Sequence, residues 1–572
     1  MNGLQDAALP QRVSTSSKDV ERALLQSALT LHQQGQWTEA EVLYREIVQA
    51  QPNHFEALHL LATVSFQRKN YGEAVALFER AIKINDRHPG SLNNYGLALK
   101  ELQRYDEALE NYEKAIALQP DFMEACANRD VVLQDLKNKE KTISSVLRVK
   151  SWLRMTESMP LESQRKMHEG QLRDLFAHAW QYSDWWRKRL SQAGYIQDDD
   201  NLSALSVFEH IPPLLRTDLQ DHFEKIRAWR SEWSEKDMFT STTSGSTGLP
   251  VRVEKYRDAY TIIYGAVGLV DHEWHKRDAR LPLAIISSDP DSFCPDWGPL
   301  LAALQGSGTV TNRFSFSRSL LEHAGWIKEY RPAYLRCGSR IAAEIGEILL
   351  AQGQTVPLHH ILSQSERVTP QQREICLRAY GGAKIIDRYS CEETGWIALQ
   401  CPKHDHLHVM TGTTILEIVD DQLRPCPVGV AGRVLVTSLH GYAMPIIRYD
   451  IGDIAEWGEE CDCGIKLPVI RRLWGRKRNL IKLSNGESKP MYYLGIDVAE
   501  IQVIKEYRVV QQRNGEIDFF IRADRPLKDE ETKKLCSMLY KVDTQLVVNI
   551  REVSVIEWGA GLKREEFVCL ES

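Results

Sequence analysis

The chain has 572 residues, with 71 basic against 78 acidic side chains, a net charge of -7 and 43% hydrophobic content. That length exceeds what one hydrophobic core organises, so several domains are expected. The balanced composition excludes a basic nucleic-acid-binding tail, a disordered chain and a membrane protein. The first residues, MNGLQDAALPQRVSTSS, lack a basic-then-apolar layout, and no stretch approaches the roughly 18 uninterrupted apolar residues of a spanning helix, which predicts a cytoplasmic protein. Eleven cysteines spread over this length form no disulfide framework.

The first 140 residues carry a period. Trp37, Tyr71 and Tyr105 are 34 apart, as are Ala40, Ala74 and Ala108, while Tyr44, Phe78 and Tyr112 follow each alanine by four. Pro52 and Pro120 close two of the units and Asp86 the middle one. This spacing resembles tetratricopeptide repeats. Small alanines let paired helices approach, aromatics fill the gaps between neighbours, and proline stops each second helix. Repeats are expected over residues 20–140. Asn94 and Asn128, also 34 apart, read either as a short ladder for an extended peptide or as solvated surface asparagines.

From about 145 the period vanishes, and LPLAIISS (281–288), TILEIVDD (414–421) and GRVLVTSL (432–439) read as strands of an α/β or α+β enzyme. The stretch 171–190 reads as a helix burying aromatics on one face. Between them, FTSTTSGSTGLP (239–250) concentrates hydroxyls and glycines. Thr243, Ser244, Gly245, Ser246, Thr247 and Gly248 can cradle phosphate oxygens with hydroxyl and N–H donors, or can form a flexible linker. The run is no P-loop, because the P-loop lysine is missing.

Further stretches follow in order: DRYSCEE (387–393), MPIIRYDIGD (444–453), CDCGIKLPVI (461–470), LWGRKRNLIKLSNGE (473–487) and GAGLKREEFV (559–568). Together with TSGSTGLP they resemble the adenylate-forming superfamily, in particular the phenylacetate-CoA ligase group and its capsule-biosynthesis relatives. The resemblance covers about 145–572, including 172–195 and 210–223. It implies an α/β large domain over 145–475 and a small α+β mobile lid over 476–572.

The resemblance also implies roles. Residues 243–248 would hold the outer phosphates of ATP, with Mg2+ neutralising the remainder. Tyr389 would lie near adenine and the α-phosphate, Glu393 would bind Mg2+, and Asp453 would accept from both ribose hydroxyls. Arg448 and Arg476 would supply fixed positive charge near phosphate or hinge. Glu366, with Ser365 and Arg367, would line adenine. Lys563 would reach from the lid to the reacting carboxylate and α-phosphate. Four positions depart from the pattern: Leu249 replaces a loop lysine, Glu392 a threonine, and Arg478 with Asn479 stand where acidic hinge residues are common.

Cys401 and His408 in QCPKHDHLHV, with Cys461 and Cys463 in CDCG, have the composition of a closed tetrahedral zinc site, and His404 and His406 are alternative imidazoles. The other reading is a reduced, buried cysteine turn. The expected function is ATP-dependent activation of a carboxylic acid, aromatic by resemblance, to an acyl-adenylate with pyrophosphate release. Acyl transfer would follow to a thiol (CoA or a carrier protein) or an amine, and the repeats would recruit a protein partner or a peptide substrate. The rival is a protein-interaction scaffold with a degenerate adenylation module.

Overall fold

The computed structural model describes residues 17–199, 201–242, 251–306, 308–315, 318–363, 368–476, 480–485, 488–490, 498, 501, 503–540, 543–557 and 567–570. The chain divides into two compact units, residues 1–144 and 145–572.

The first unit is a helical repeat array. Helices α1 (Ser17–Gln33), α2 (Trp37–Ala50), α3 (Phe55–Gln67), α4 (Tyr71–Ile84), α5 (Pro89–Glu101) and α6 (Tyr105–Leu118) precede α7 (Met123–Thr156). Ala40, Ala74 and Ala108 are completely buried, as are Tyr44, Phe78 and Tyr112. Each such aromatic contributes about 2 kcal/mol by leaving water. Gly96 shows why a small residue is needed in α5, because a Cβ there would lie 2.6 Å from the Tyr112 ring. The other aromatic series behaves differently. Trp37, Tyr71 and Tyr105 each open the second helix of a pair, and Trp37 keeps 40% of its surface exposed.

The stretch 171–190, read as helical, is helical in the second unit. Two helices form there, α8 (Leu161–Tyr182) and a nine-residue helix from Asp184 to Gln192. Ser183 separates them: its hydroxyl accepts from Trp186 N–H and donates to Lys225 O, capping the second helix. Hairpin β1 (Met238–Thr242) and β2 (Arg252–Tyr256) follows, and then α9 (Arg257–Trp274).

A six-stranded sheet has the order β4-β5-β3-β6-β7-β8, built from β3 (Leu283–Ser287), β4 (Ser292–Cys294), β5 (Val310–Phe314), β6 (Tyr334–Cys337), β7 (His360–Ser363) and β8 (Lys384–Ile386). All pairs are parallel except β4–β5. Helices α10 (Leu320–Tyr330), α11 (Ser339–Ala351) and α12 (Pro370–Ala379) cover one face, burying Leu335, Ile361 and Ile385 in a common cluster.

A seven-stranded antiparallel sheet runs β12-β13-β14-β15-β11-β10-β9. Its strands are β9 (Arg388–Cys391), β10 (Gly395–Gln400), β11 (Leu407–Val409), β12 (Thr414–Val419), β13 (Ala431–Ser438), β14 (Tyr449–Trp457) and β15 (Val469–Arg476). The strands read at 281–288, 414–421 and 432–439 are β3, β12 and β13. Beyond 476, a hairpin of β16 (Leu480–Lys482) with β17 (Ser488–Pro490) precedes a four-stranded sheet. That sheet has the order β20-β19-β18-β21, from β18 (Ile504–Gln511), β19 (Ile517–Ala523), β20 (Val548–Glu552) and β21 (Phe567–Cys569), with helix α13 (Asp529–Tyr540). Val509, Ile517, Phe519, Ile521 and Leu535 give this part its own hydrophobic cluster.

Candidate active site and cysteine knuckle

Strand β9 and strand β14 are four places apart in the sheet order, which in a flat sheet would separate them by about 19 Å. They nevertheless meet through side chains. Tyr389 OH donates to Asp453 Oδ2 at 2.7 Å, and Tyr449 OH donates to Glu393 Oε1 at 3.0 Å. The sheet therefore curls until its β9 end faces β14, and two tyrosine–carboxylate bonds bridge the gap. Tyr449 and Asp453 lie on either side of an irregularity in β14, where Gly452 has φ +78°, and both turn toward the β9 end of the sheet. Glu393 and Asp453 are both buried, and Arg216 Nη1 lies 3.9 Å from Glu393 Oε1. Burial and the neighbouring Glu393 push the Tyr449 phenol well above its ordinary range, so it stays a donor.

Hairpin β1–β2 is fastened to the same place. Lys255 Nζ donates to Glu392 O at 2.6 Å and Ser241 Oγ to the same carbonyl at 3.3 Å. The hairpin whose paired ends, Thr242 and Arg252, flank the hydroxyl-rich run is thus tied to the Glu392 carbonyl. Thr243, Ser244, Gly245, Ser246, Thr247, Gly248 and Leu249 themselves lie outside the described residues, as do Glu366 with its neighbours, Arg478, Asn479 and Lys563. Arg476 ends β15 in register with Asp453.

Arg448, expected near phosphate or hinge, is held by protein groups. Its guanidinium makes two bonds to Glu417, at 3.0 Å from Nε and 2.9 Å from Nη2, and Nη1 donates to Glu209 O and Ile211 O. Its backbone is in the left-handed region, φ +50°, which turns the side chain inward. In this geometry Arg448 braces the 209–214 segment against β14, helped by backbone bonds between Leu214 and both Arg448 and Asp450.

Tyr449 and Lys255 escaped the sequence reading. The first carried a weak signal as the tyrosine of RYDIGD, but an irregularity in β14 at Gly452 breaks the strand alternation that would have put it beside Asp453. The second carried no signal, because a lone lysine in a short strand looks like a solvent-facing residue.

The cysteine motifs converge. Cys401 follows β10, His408 sits in β11, and Cys461 with Cys463 occupies the turn between β14 and β15. Their ligand atoms all lie within 4.8 Å of one another, with Cys401 Sγ 3.7 Å from Cys461 Sγ and Cys463 Sγ 3.3 Å from His408 Nε2. A tetrahedron of sulfurs about 2.3 Å from a central zinc has edges near 3.8 Å, so the spacing fits that ion. His408 Nδ1 faces Leu467 O at 3.1 Å, which fixes the tautomer with Nε2 toward the thiols. Backbone N–H groups of Lys403, Cys463 and Ile465 donate to the three sulfurs, favouring thiolates. His404 pairs instead with Asp462 at 2.5 Å.

In the first unit, Asn128 Nδ2 donates to Asn93 Oδ1 at 2.9 Å, and Asn93 donates on to Asn94 at 3.3 Å. The two expected ladder residues are thus linked through a third asparagine. Among the described residues, no helix is long and apolar enough to cross a membrane.

The second unit has the fold of the adenylate-forming ligases, and a tetratricopeptide array stands before it. By sequence the chain is similar to phenylacetate-coenzyme A ligase of Thermus thermophilus, 23% identical over 387 residues, covering 63% of this chain and 81% of the relative. By structure it is similar to 2-hydroxyisobutyryl-CoA ligase in the postadenylation state in complex with R3-HIB-AMP, at TM-score 0.58 and 16% identity, covering 73% of this chain and 91% of that one. An open conformation of that ligase with 2-HIB-AMP and CoA matches at TM-score 0.51 and 17% identity, over 73% and 93% of the two chains. The family model for anaphase-promoting complex, cyclosome, subunit 3 matches residues 13–115, and a TPR repeat model matches 96–135.

Proposed function

We propose that the chain joins a carboxylic acid to ATP, forming an acyl-adenylate and releasing pyrophosphate, and then transfers the acyl group to a thiol or amine. The observation that carries this reading is the meeting of three separate motifs at one point: Tyr389 on Asp453, Tyr449 on Glu393, and the base of the hydroxyl run on the Glu392 carbonyl.

In this reading a carboxylate oxygen attacks the α-phosphorus while the bond to the bridging β-oxygen breaks, and pyrophosphate leaves with that electron pair. The donors of residues 243–248 stabilise the leaving phosphates, and the buried Lys255 ammonium contributes positive charge where Leu249 brings none. Asp453 accepts from the ribose hydroxyls, with Tyr389 holding its carboxylate in place. Glu393, its carboxylate held by the Tyr449 phenol, would hold Mg2+, which supplies countercharge to the phosphates when bound. Lys563 bridges carboxylate and α-phosphate from the lid, residues 476–572, while Arg476 and Glu366 keep their hinge and adenine roles. The acceptor thiolate or amine then attacks the acyl carbonyl and AMP leaves. Arg448 acts through the fold, by bracing.

Cys401, His408, Cys461 and Cys463 would hold a structural Zn2+, since a closed four-ligand site leaves no open position for substrate. The repeats, 20–140, would bring the acceptor, a carrier protein or peptide; CoA is the small-molecule alternative. Carboxylate-dependent exchange of labelled pyrophosphate into ATP tests the activation step. Exchange above background with some members of an acid panel is expected, and its absence across aliphatic, aromatic, amino and dicarboxylic acids would favour the scaffold reading.

A further inference from the structure

Strand β9 presents neighbouring side chains to opposite faces: Tyr389 toward Asp453, and Arg388 away from it. On that far side the Arg388 guanidinium lies over the Trp396 ring at 4.8 Å. An aromatic row continues to Tyr264, 5.3 Å from Trp396, and to Tyr260, a further 5.3 Å away. Tyr260 and Tyr264 are one turn apart on α9, and one turn beyond them Gly268 faces open space, where a Cβ would meet nothing within 4 Å. Tyr264 keeps 44% of its surface exposed. Arg336 of β6, level with Ile285 of β3 and Leu362 of β7, lies near Tyr264 and Arg388. These side chains lie close together among α9, β6 and β9–β10.

Both arginines are largely enclosed by the unit yet keep part of their surface open. Among the described residues neither guanidinium has a hydrogen bond or an ion pair, and Arg336 Nε is buried without any partner. The nearby carboxylates offset them only in part, because each also serves another group. Asp271 is taken by Arg277, at 2.5 and 3.2 Å, and the Asp387 carboxyl accepts from the Arg388 backbone N–H. His272, His275 and His360 are each pushed down to about 4 by burial, so they add no charge at neutral pH. Asp289, near Arg336, is exposed and held by Ser287. The interior therefore holds more guanidinium than buried carboxylate, a costly state in the absence of an anion.

We propose that Arg388 and Arg336 bind a second anionic group on the acid being activated, so that the preferred substrate is a dicarboxylate rather than a plain monoacid. This rests on the acid-activation reading. Its geometry follows from β9, where adjacent residues about 3.8 Å apart serve the nucleotide side and the far side. Because β9 is the edge strand of its sheet, a small molecule can pass that edge with its reacting carboxylate on the nucleotide side and its second anion on the far side, its stem lying along Tyr264 and Trp396. Guanidinium suits the task because its planar fork binds a carboxylate with two parallel bonds.

The test is calorimetric titration of the full chain with dicarboxylates from malonate to adipate and with phthalate, each against its chain-matched monoacid, such as butyrate for glutarate and benzoate for phthalate. At least one dicarboxylate is expected to bind tenfold or more tightly than its match. Arg388→Gln and Arg336→Gln are each expected to shrink that ratio below threefold, with Arg388→Lys restoring part of it. The ligand-free melting temperature of Arg388→Met is expected to hold or rise, because an unpaired buried charge is removed, whereas an arginine serving only the fold would lose stability. Equal binding of diacids and monoacids, or a preference that survives both substitutions, overturns the inference. Pyrophosphate exchange with the same acids separates the two failures. Exchange with monoacids alone sinks the second anion and keeps activation, while tight diacid binding without exchange from any acid keeps the anion site and removes activation.

Discussion

Tyr389 and Asp453 hydrogen-bond at 2.7 Å although their strands are four places apart in one sheet. That bond ties the Asp453 carboxylate to a strand on the far side of the curled sheet. Asp453→Ala removes an acceptor that serves two ligand hydroxyls, each bond to a charged group contributing about 1.5–3 kcal/mol. The expected result is a fall in kcat/KM for ATP of roughly a hundredfold or more in pyrophosphate exchange. Tyr389→Phe, which removes only the positioning bond, is expected to cost about tenfold or less.

The Arg448–Glu417 pair separates bracing from catalysis. Breaking a buried pair from one side leaves an uncompensated charge, so Arg448→Met is expected to lower folding stability by about 3–5 kcal/mol. Denaturant titration measures that. The KM for ATP of the folded fraction is expected to change less than threefold, and a large rise in KM with normal stability would return Arg448 to the phosphates.

The knuckle of Cys401, His408, Cys461 and Cys463 predicts one zinc per chain in purified protein by elemental mass spectrometry. Cys461→Ser is expected to lose most of that metal and to melt at lower temperature, because binding energy at a structural site is folding energy. Zinc-free protein with unaltered stability would contradict this.

Asp387 gives a pH prediction. Burial pushes its carboxyl up from 3.8 to about 6. Below pH 4 the folded and unfolded states are both protonated and the contribution is complete. Between pH 4 and 6 the unfolded chain has released a proton that the folded state still holds, so stability falls as pH rises, by about 3 kcal/mol in total from this group. Asp387→Asn keeps an acceptor for the Arg388 N–H, and is expected to flatten the slope over that window and to raise stability at pH 7.5. Denaturant midpoints at pH 4.5, 5.5 and 7.5 check both.

Lys563→Ala is expected to slow exchange by roughly two to three decades, the size of one lost contact to a charge that develops in the transition state. ATP affinity by calorimetry is expected to stay within threefold. An unchanged exchange rate would move the lid's reacting cation to another residue.

Much of this architecture was legible in the chain. Alanines and aromatics at a spacing of 34 can do little else than pack helix on helix, and β-branched runs such as TILEIV and AGRVLVTS lie where β12 and β13 form. What the sequence hid depends on direction and distance. Nothing local shows that Ser183 interrupts a helical pattern by capping a new helix, that a positive φ turns Arg448 inward, or that sheet curling brings Tyr449 onto Glu393. Arg336 and Arg388 read as ordinary surface arginines until their burial and the unsatisfied Arg336 Nε are known. Among three candidate histidines, only the fold selects His408 to stand beside three sulfurs.

Strand β15 lies between β14 and β11, and its last residue, Arg476, shares a rung with Asp453. Anyone grafting the C-terminal segment of a relative onto this chain must therefore cut after 476. A junction a few residues upstream would exchange the keystone of the curled sheet along with the cartridge, parting the strands that carry Asp453 and Tyr389.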